Sequence, residues 1–238
     1  MAKRTNSIKA NVSTTATSKA RESLTENLKD VRSLLELHEE KGGANPGRRT
    51  GLEVLNKSAI VLLTSHWEAY CEDLAEEGLE HIVTHAKTSD VLPKAIKKII
   101  ASNIDKDKNE LACWSISDDK WRDVLRANLV RMKDERNRNL NTPKWSQVDT
   151  LFEASIGLTN ISSKWVWAKK LTAAKARQKL NKFVELRGEI AHRGRATTPV
   201  HKVTVSDYLD FVENAASKTG EAVNAHVKNI TSVPLFGP

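Results

Sequence analysis

The chain has 238 residues, enough for one medium domain with a sizeable core or two small ones, and its 39% hydrophobic and 29% charged residues match a soluble globular protein. No run approaches the roughly 20 apolar residues that cross a bilayer, and two cysteines, Cys71 and Cys113, are too few for a disulfide framework or a thiolate zinc site and suit a reducing cytoplasm. A net charge of +8 favours an anionic partner, although it also serves solubility.

Residues 1–17, polar and without the apolar stretch of a secretory signal, are expected to form a flexible basic tail. A transit peptide would share that composition but calls for an amphipathic face, which the segment lacks. Apolar residues then recur at helical spacing, and no alternating strand run of useful length occurs. Leu24, Leu28, Val31, Leu34, Leu35 and Leu37 predict a first helix from Ser18 to Glu40, closed by the Gly- and Pro-containing loop "KGGANPGRRTG". A longer helix is expected from about Leu52 to His85. Its first half, apolar nearly all round, belongs at the centre of a bundle. "LPKAIKKIIASNI" predicts a short helix with Pro93 in its first turn, followed by an ambiguous stretch from Asp105 to Ser117. "SDDKWRDVLRANLVRMKDERNRN" predicts a helix opened by Ser117 or Asp118. Pro143 then ends one element and Ser146 can cap the next. A long helix from about Trp167 to Arg193 and a last one from about Val205 to Ile230 complete the chain. The expectation is a single-domain, all-α helical bundle over residues 18–230 with long central helices, and a C-terminal tail at 231–238.

Charge is unevenly spread. Between Ser146 and Val203 eleven Lys and Arg face four acids, whereas Lys41 to Leu92 leans acidic. "GGANPGRRT" has the glycine spacing of a phosphate loop, yet it lacks the Lys-Ser/Thr pair and follows a helix, which argues against one. Glu77, His81 and His85 share one helical face and are of metal-ligating type. No second acidic-histidine set completes a shell, so a solvated face is the preferred reading and no metal or cofactor is expected. The tryptophans Trp67, Trp114, Trp121, Trp145, Trp165 and Trp167 could stack bases but are expected mainly in the core or at helix junctions.

The remaining stretch is "RGEIAHRGR", Arg187 to Arg195. A helix C-terminus accounts for His192, Arg193 and Gly194. It accounts less well for Arg187 and for Gly188, a mid-helix glycine costing on the order of 1 kcal/mol relative to Ala. Cleaving RNA without a metal needs a base for the 2'-hydroxyl proton, an acid for the leaving oxygen and a cation for the anionic phosphorus. Imidazole and guanidinium supply these in kind. On a regular helix the two positions lie roughly 140° apart, so either the helix loosens near Gly194, or the long Arg side chain swings across, or two chains meet; one copy also offers only one proton carrier. A two-fold dimer would gather two of each around one cleft.

At these residues the sequence resembles the HEPN superfamily, helical bundles carrying an Arg-x(4–6)-His motif, here Arg187 to His192 inside "LRGEIAHRG". Further similarity to the RiboL-PSP-HEPN branch lies in "AIVLLTSHWEAYCEDL", "TPKWSQVDTLFEASIGL" and "VTVSDYLDFVENAA", covering most of residues 20–228. The resemblance implies a metal-independent endoribonuclease acting as a homodimer, often a toxin or phage-defence effector, with Arg187 and His192 as the catalytic pair. It implies RNA as partner, an antitoxin or defence-system protein as a further one, no cofactor and no membrane. Arg193 and Arg195 would hold flanking phosphates, with Lys182 as a weaker candidate. Glu189 could orient a catalytic side chain or face solvent, and His66 and Tyr70 could reach the cleft or be buried structural groups. One departure is Gly188, where the family usually carries Asn, Asp or His. Family members without catalysis bind RNA or nucleotides, or serve as assembly modules, so a non-catalytic RNA-binding module and a helical dimerisation module are the alternative expectations.

Overall fold

A computed structural model describes residues 17–42, 51–138, 142–193 and 197–237. Among these residues there are seven α-helices and no strand: α1 (Lys19–Gly42), α2 (Glu53–His85), α3 (Lys94–Lys106), α4 (Trp121–Arg138), α5 (Trp145–Ile156), α6 (Ala173–Arg193) and α7 (Lys202–Thr231). Short 3-10 turns at Ser89–Val91, Ala112–Ile116 and Ile161–Lys164 join them. The all-α bundle expected from the periodicity is the one observed.

The long helix α2 is the axis, packing against α1, α4, α5, α6 and α7. Its buried residues include Ile60, Leu63, Trp67, Cys71, Leu74, Gly78 and Ile82, which keep the three- and four-residue spacing of one broad face. Helix α1 lays Leu24, Leu28 and Val31 against it. The first turn of α1 is closed twice over. Ser18 Oγ accepts the Arg21 N–H at 3.1 Å, and the Glu77 carboxylate on α2 accepts the N–H groups of Lys19 and Ala20 at 3.1 and 3.2 Å. Those orphan donors would otherwise be left unpaired at the helix start. The tie sets the beginning of α1 beside the later turns of α2, so the two run antiparallel.

Helix α7 runs parallel to α2. Thr64 meets Tyr208 at 3.1 Å between hydroxyls, the Tyr70 hydroxyl donates to the Ala216 carbonyl at 2.7 Å, and His81 Nε2 lies 2.9 Å from the Val233 carbonyl. Helix α6 packs on α2 and reaches α7 through Phe183, whose ring stacks on Tyr208 with centroids 4.0 Å apart. The connection after α6 returns to the start of α2, where Asn56 Nδ2 donates to the Val200 carbonyl at 2.9 Å. One end of the molecule therefore holds the start of α2, the end of α6 and the start of α7.

Three helix starts differ from expectation. Helix α4 opens at Trp121 because Asp118 sits at φ +56°, a left-handed turn that the helix cannot pass through. Helix α5 opens at Trp145 with Lys144 as its N-cap residue, so Ser146 lies within the first turn and does not cap it. Helix α6 opens at Ala173, six residues after Trp167. Trp165 is fully buried with Nε1 donating to Thr219 Oγ1 at 3.0 Å, and Trp167 packs edge-on against Phe211. Packing both rings against the bundle holds 165–172 out of helical geometry, and Thr172 Oγ1 then receives the Lys175 N–H at 3.3 Å. Helix α5 ends at Gly157, φ +73°, whose N–H reaches Glu153 O at 3.0 Å while Leu158 N–H reaches Phe152 O at 3.1 Å. A Cβ there would stand 2.4 Å from Pro93 Cβ, so only glycine fits.

The C-terminal segment is packed against the bundle. Asn224 Oδ1 accepts the N–H groups of Leu235 and Phe236 at 2.7 and 3.3 Å, and its Nδ2 donates to the Phe236 carbonyl at 3.2 Å. The expected tail is thus a strap across α7, through residue 237. Apart from Thr17, the basic segment expected at 1–17 lies outside the described residues. No helix among the described residues is long and apolar enough to cross a membrane.

Candidate functional site

Helix α6 buries Ala176, Leu180, Phe183, Val184 and Ile190. Arg187 follows Phe183 and Val184 by four and three residues and precedes Ile190 by three, so it belongs to the same stripe. It is half-buried, and its Nε is sealed from solvent with no hydrogen-bond partner among the described residues. Its charge lies near Tyr208 on α7. Burial raises the pKa of the Tyr208 hydroxyl well above the ordinary phenol range, its bond with Thr64 works in the opposite sense, and the guanidinium adds to that opposition.

His192 is exposed in the last turn of α6. The helix is regular through Arg193, so five residues rotate the side-chain direction by roughly 140°. Within one chain the structure does not place Arg187 and His192 on a common face. Gly188 between them is open, since a Cβ built there would have no atom within 4 Å. Nothing in this chain requires a glycine at that position.

Glu189 spans the turn after the helix, accepting both the N–H and the hydroxyl of Thr197 at 2.9 and 3.1 Å. These two bonds, with Arg193 nearby, hold its carboxyl below the usual carboxylate range. Arg193 and Lys182 are exposed, and Arg195 lies outside the described residues.

Two residues that could have reached the cleft or been buried structural groups sit away from the end of α6. Tyr70 is 2% exposed and committed to the Ala216 carbonyl, and burial raises its pKa far above the ordinary range. It is packing between α2 and α7. His66 follows Thr64 by two residues, which turns it roughly 160° from the Tyr208 side of α2. Its charged neighbour is Asp30 on α1, and its Nε2 is buried without a partner among the described residues. Neither side chain reaches the end of α6 in this chain.

The other sequence signals also resolve. Glu77 ties α1, His81 Nε2 meets the Val233 carbonyl, and His85 Nδ1 meets the His81 carbonyl at 3.0 Å, so the metal-type face is committed to helix ties. Trp67, Trp121 and Trp165 are core, Trp145 and Trp167 half-buried, and only Trp114 is well exposed at 65%. Residues 43–50 of the glycine-rich loop lie outside the described residues.

Sequence reading passed over Lys175, Lys179 and Thr204. With Lys182, Phe183 and Leu186 they line a groove of about 580 Å³ between α6 and the start of α7. The recurrence of lysine at 175, 179 and 182, three and four residues apart, was the available signal.

No curated protein and no solved structure matches the chain. The family model described as RiboL-PSP-HEPN matches residues 22–225, from α1 into α7, with the Arg-x4-His segment inside the match. A match over that span, on a helical bundle with the motif at the end of its sixth helix, makes the chain a member of the RiboL-PSP-HEPN family.

Proposed function

We propose that this protein is a metal-independent endoribonuclease that works as a homodimer, with Arg187 and His192 of both copies lining one cleft. Its family has an RNA-related role, nucleases included. In the reaction one His192 removes the 2'-hydroxyl proton, and the freed oxygen attacks the adjacent phosphorus. The second His192 protonates the departing 5'-oxygen, so the P–O5' bond breaks and a 2',3'-cyclic phosphate remains. Arg187 stabilises the added negative charge on the phosphoryl oxygens.

The observation that carries this reading is Arg187 itself. Arg187 is a half-buried guanidinium set in an apolar stripe, and its Nε is buried with no partner among the described residues, a cost that the fold itself does not offset. The geometry favours a second copy as well. The exposed His192 leaves the helix roughly 140° from its own Arg187, and the open space at Gly188 leaves room for close approach. Val54 and Val203, 60% and 72% exposed at the starts of α2 and α7, add apolar surface at the same end. Arg193 and Arg195 would hold the flanking phosphates. An antitoxin or defence-system protein would restrain such an activity in the cell.

The test is cleavage of single-stranded RNA in EDTA. Cyclic-phosphate ends are expected from the native protein, with a loss of at least about 100-fold in His192→Ala. Unchanged cleavage in that variant would overturn the assignment of His192. The substitution of Gly188 for the usual polar residue favours one alternative, a non-catalytic RNA-binding module. RNA binding with no scission by the native protein would select it.

A further inference from the structure

We infer that the groove between α6 and the first turns of α7 is a binding track for single-stranded RNA, holding the strand that leads to the end of α6. This deepens the proposed function and rests on its RNA-directed reading. The track begins outside the Arg187–His192 segment and uses a different face of the same helix. Lys175, Lys182 and Arg193 are seven and eleven residues apart, so all three fall within roughly 20° of one line along α6. They are exposed, and they rise roughly 10 and 16 Å along the axis. That is a row of cations parallel to the helix, with Leu186 between the last two.

Charge selects the occupant. The lysines of the groove face one carboxylate, Asp207, and it is already bound to Lys179 at 2.6 Å. Of the acids elsewhere on α6, Glu185 is paired with Lys144 at 3.1 Å, and Glu189, held by Thr197, sets its charge against Arg193 and not against Lys175 or Lys182. The face therefore carries net positive charge that the fold does not consume. Lys179 is also held over the rings of Phe183 and Phe211, 5.8 Å from each centroid, which fixes it as part of the wall. The floor at Phe183 and Leu186 is apolar, and Gln178 and Thr204 add neutral donors and acceptors at the rim. A polyanion with apolar faces between its charges matches this wall, and a single nucleic-acid strand is such a molecule. A duplex keeps its bases stacked inside and offers the floor nothing.

Binding is measured on the full chain carrying His192→Ala, with a fluorescein-labelled oligouridylate and a salt titration. Adding Lys175→Ala and Lys182→Ala is expected to weaken binding about 10-fold and to reduce the salt slope by about 1.4, two phosphate contacts on a single strand. The pair Lys175→Arg and Lys182→Arg should retain binding. Lys94→Ala with Lys98→Ala, which removes the same charge from exposed positions on α3, should leave it unchanged. Equal affinity with and without the α6 lysines overturns the track, and so does an equal loss from the α3 pair. Because the background variant does not depend on scission, failure of the native protein to cleave RNA would sink the nuclease reading and leave this result standing.

Discussion

At the scale of the residue, Arg187 is the informative position. Its place between Phe183, Val184 and Ile190 on α6 was legible in the sequence, because apolar residues at 180, 183, 184 and 190 define the stripe it joins. The burial of Nε without a partner was not legible, since it depends on how α2 and α7 close over that stripe. A buried charge held for function can often be replaced by an apolar side chain of similar length without loss of stability. Arg187→Met is therefore expected to fold with stability within about 1 kcal/mol of the native protein, or above it, while cleavage falls by at least about 100-fold. Chemical denaturation and a cleavage assay on the same preparation decide the matter. A loss of several kcal/mol would make Arg187 a structural residue.

At the scale of the element, ends were legible where the local chemistry decides them. Ser18 caps α1 and α6 ends at Arg193, while Gly194, the stop residue the sequence suggests, lies outside the described residues. Starts were misjudged where tertiary burial overrides a helix-compatible sequence, as at 165–172, whose tryptophans are drawn onto Trp67 and Phe211. The strap after α7 belongs to this scale too. Nothing in "SVPLFGP" requires it to dock, but Asn224 satisfies three of its backbone groups. Asn224→Ala is expected to cost about 1–3 kcal/mol of unfolding free energy, and faster proteolysis near residue 233 should accompany it. A variant with native stability and native protease resistance would show that the strap is held by its apolar side chains alone.

At the scale of the whole molecule, three half-buried histidines couple the fold to pH. Burial holds His66, His81 and His226 below the ordinary imidazole range, partly opposed by Asp30 for the first and by the Val233 and Ile156 carbonyls for the other two. The folded chain therefore binds fewer protons than the unfolded chain near the unfolded value of about 6.5. Stability is full above that value and is lost as pH falls through it towards the depressed folded values. The melting temperature should drop between about pH 7.5 and 5, and His226→Gln should flatten the decline. A level profile across that window would refute the coupling.

The sequence alone determined the fold class, the helix count along most of the chain and the Arg187–His192 segment, because spacing and turn residues act within a few positions of one another. It also marked the basic second half of the chain, since charge can be counted without coordinates. Only the tertiary structure decided that Tyr70 and His66 face away from the end of α6 and that Glu77 closes α1. It alone placed the lysines of α6 beside the start of α7. These depend on which face of one helix meets another, and burial of the α2 face against five neighbours settles that only once the whole chain has packed.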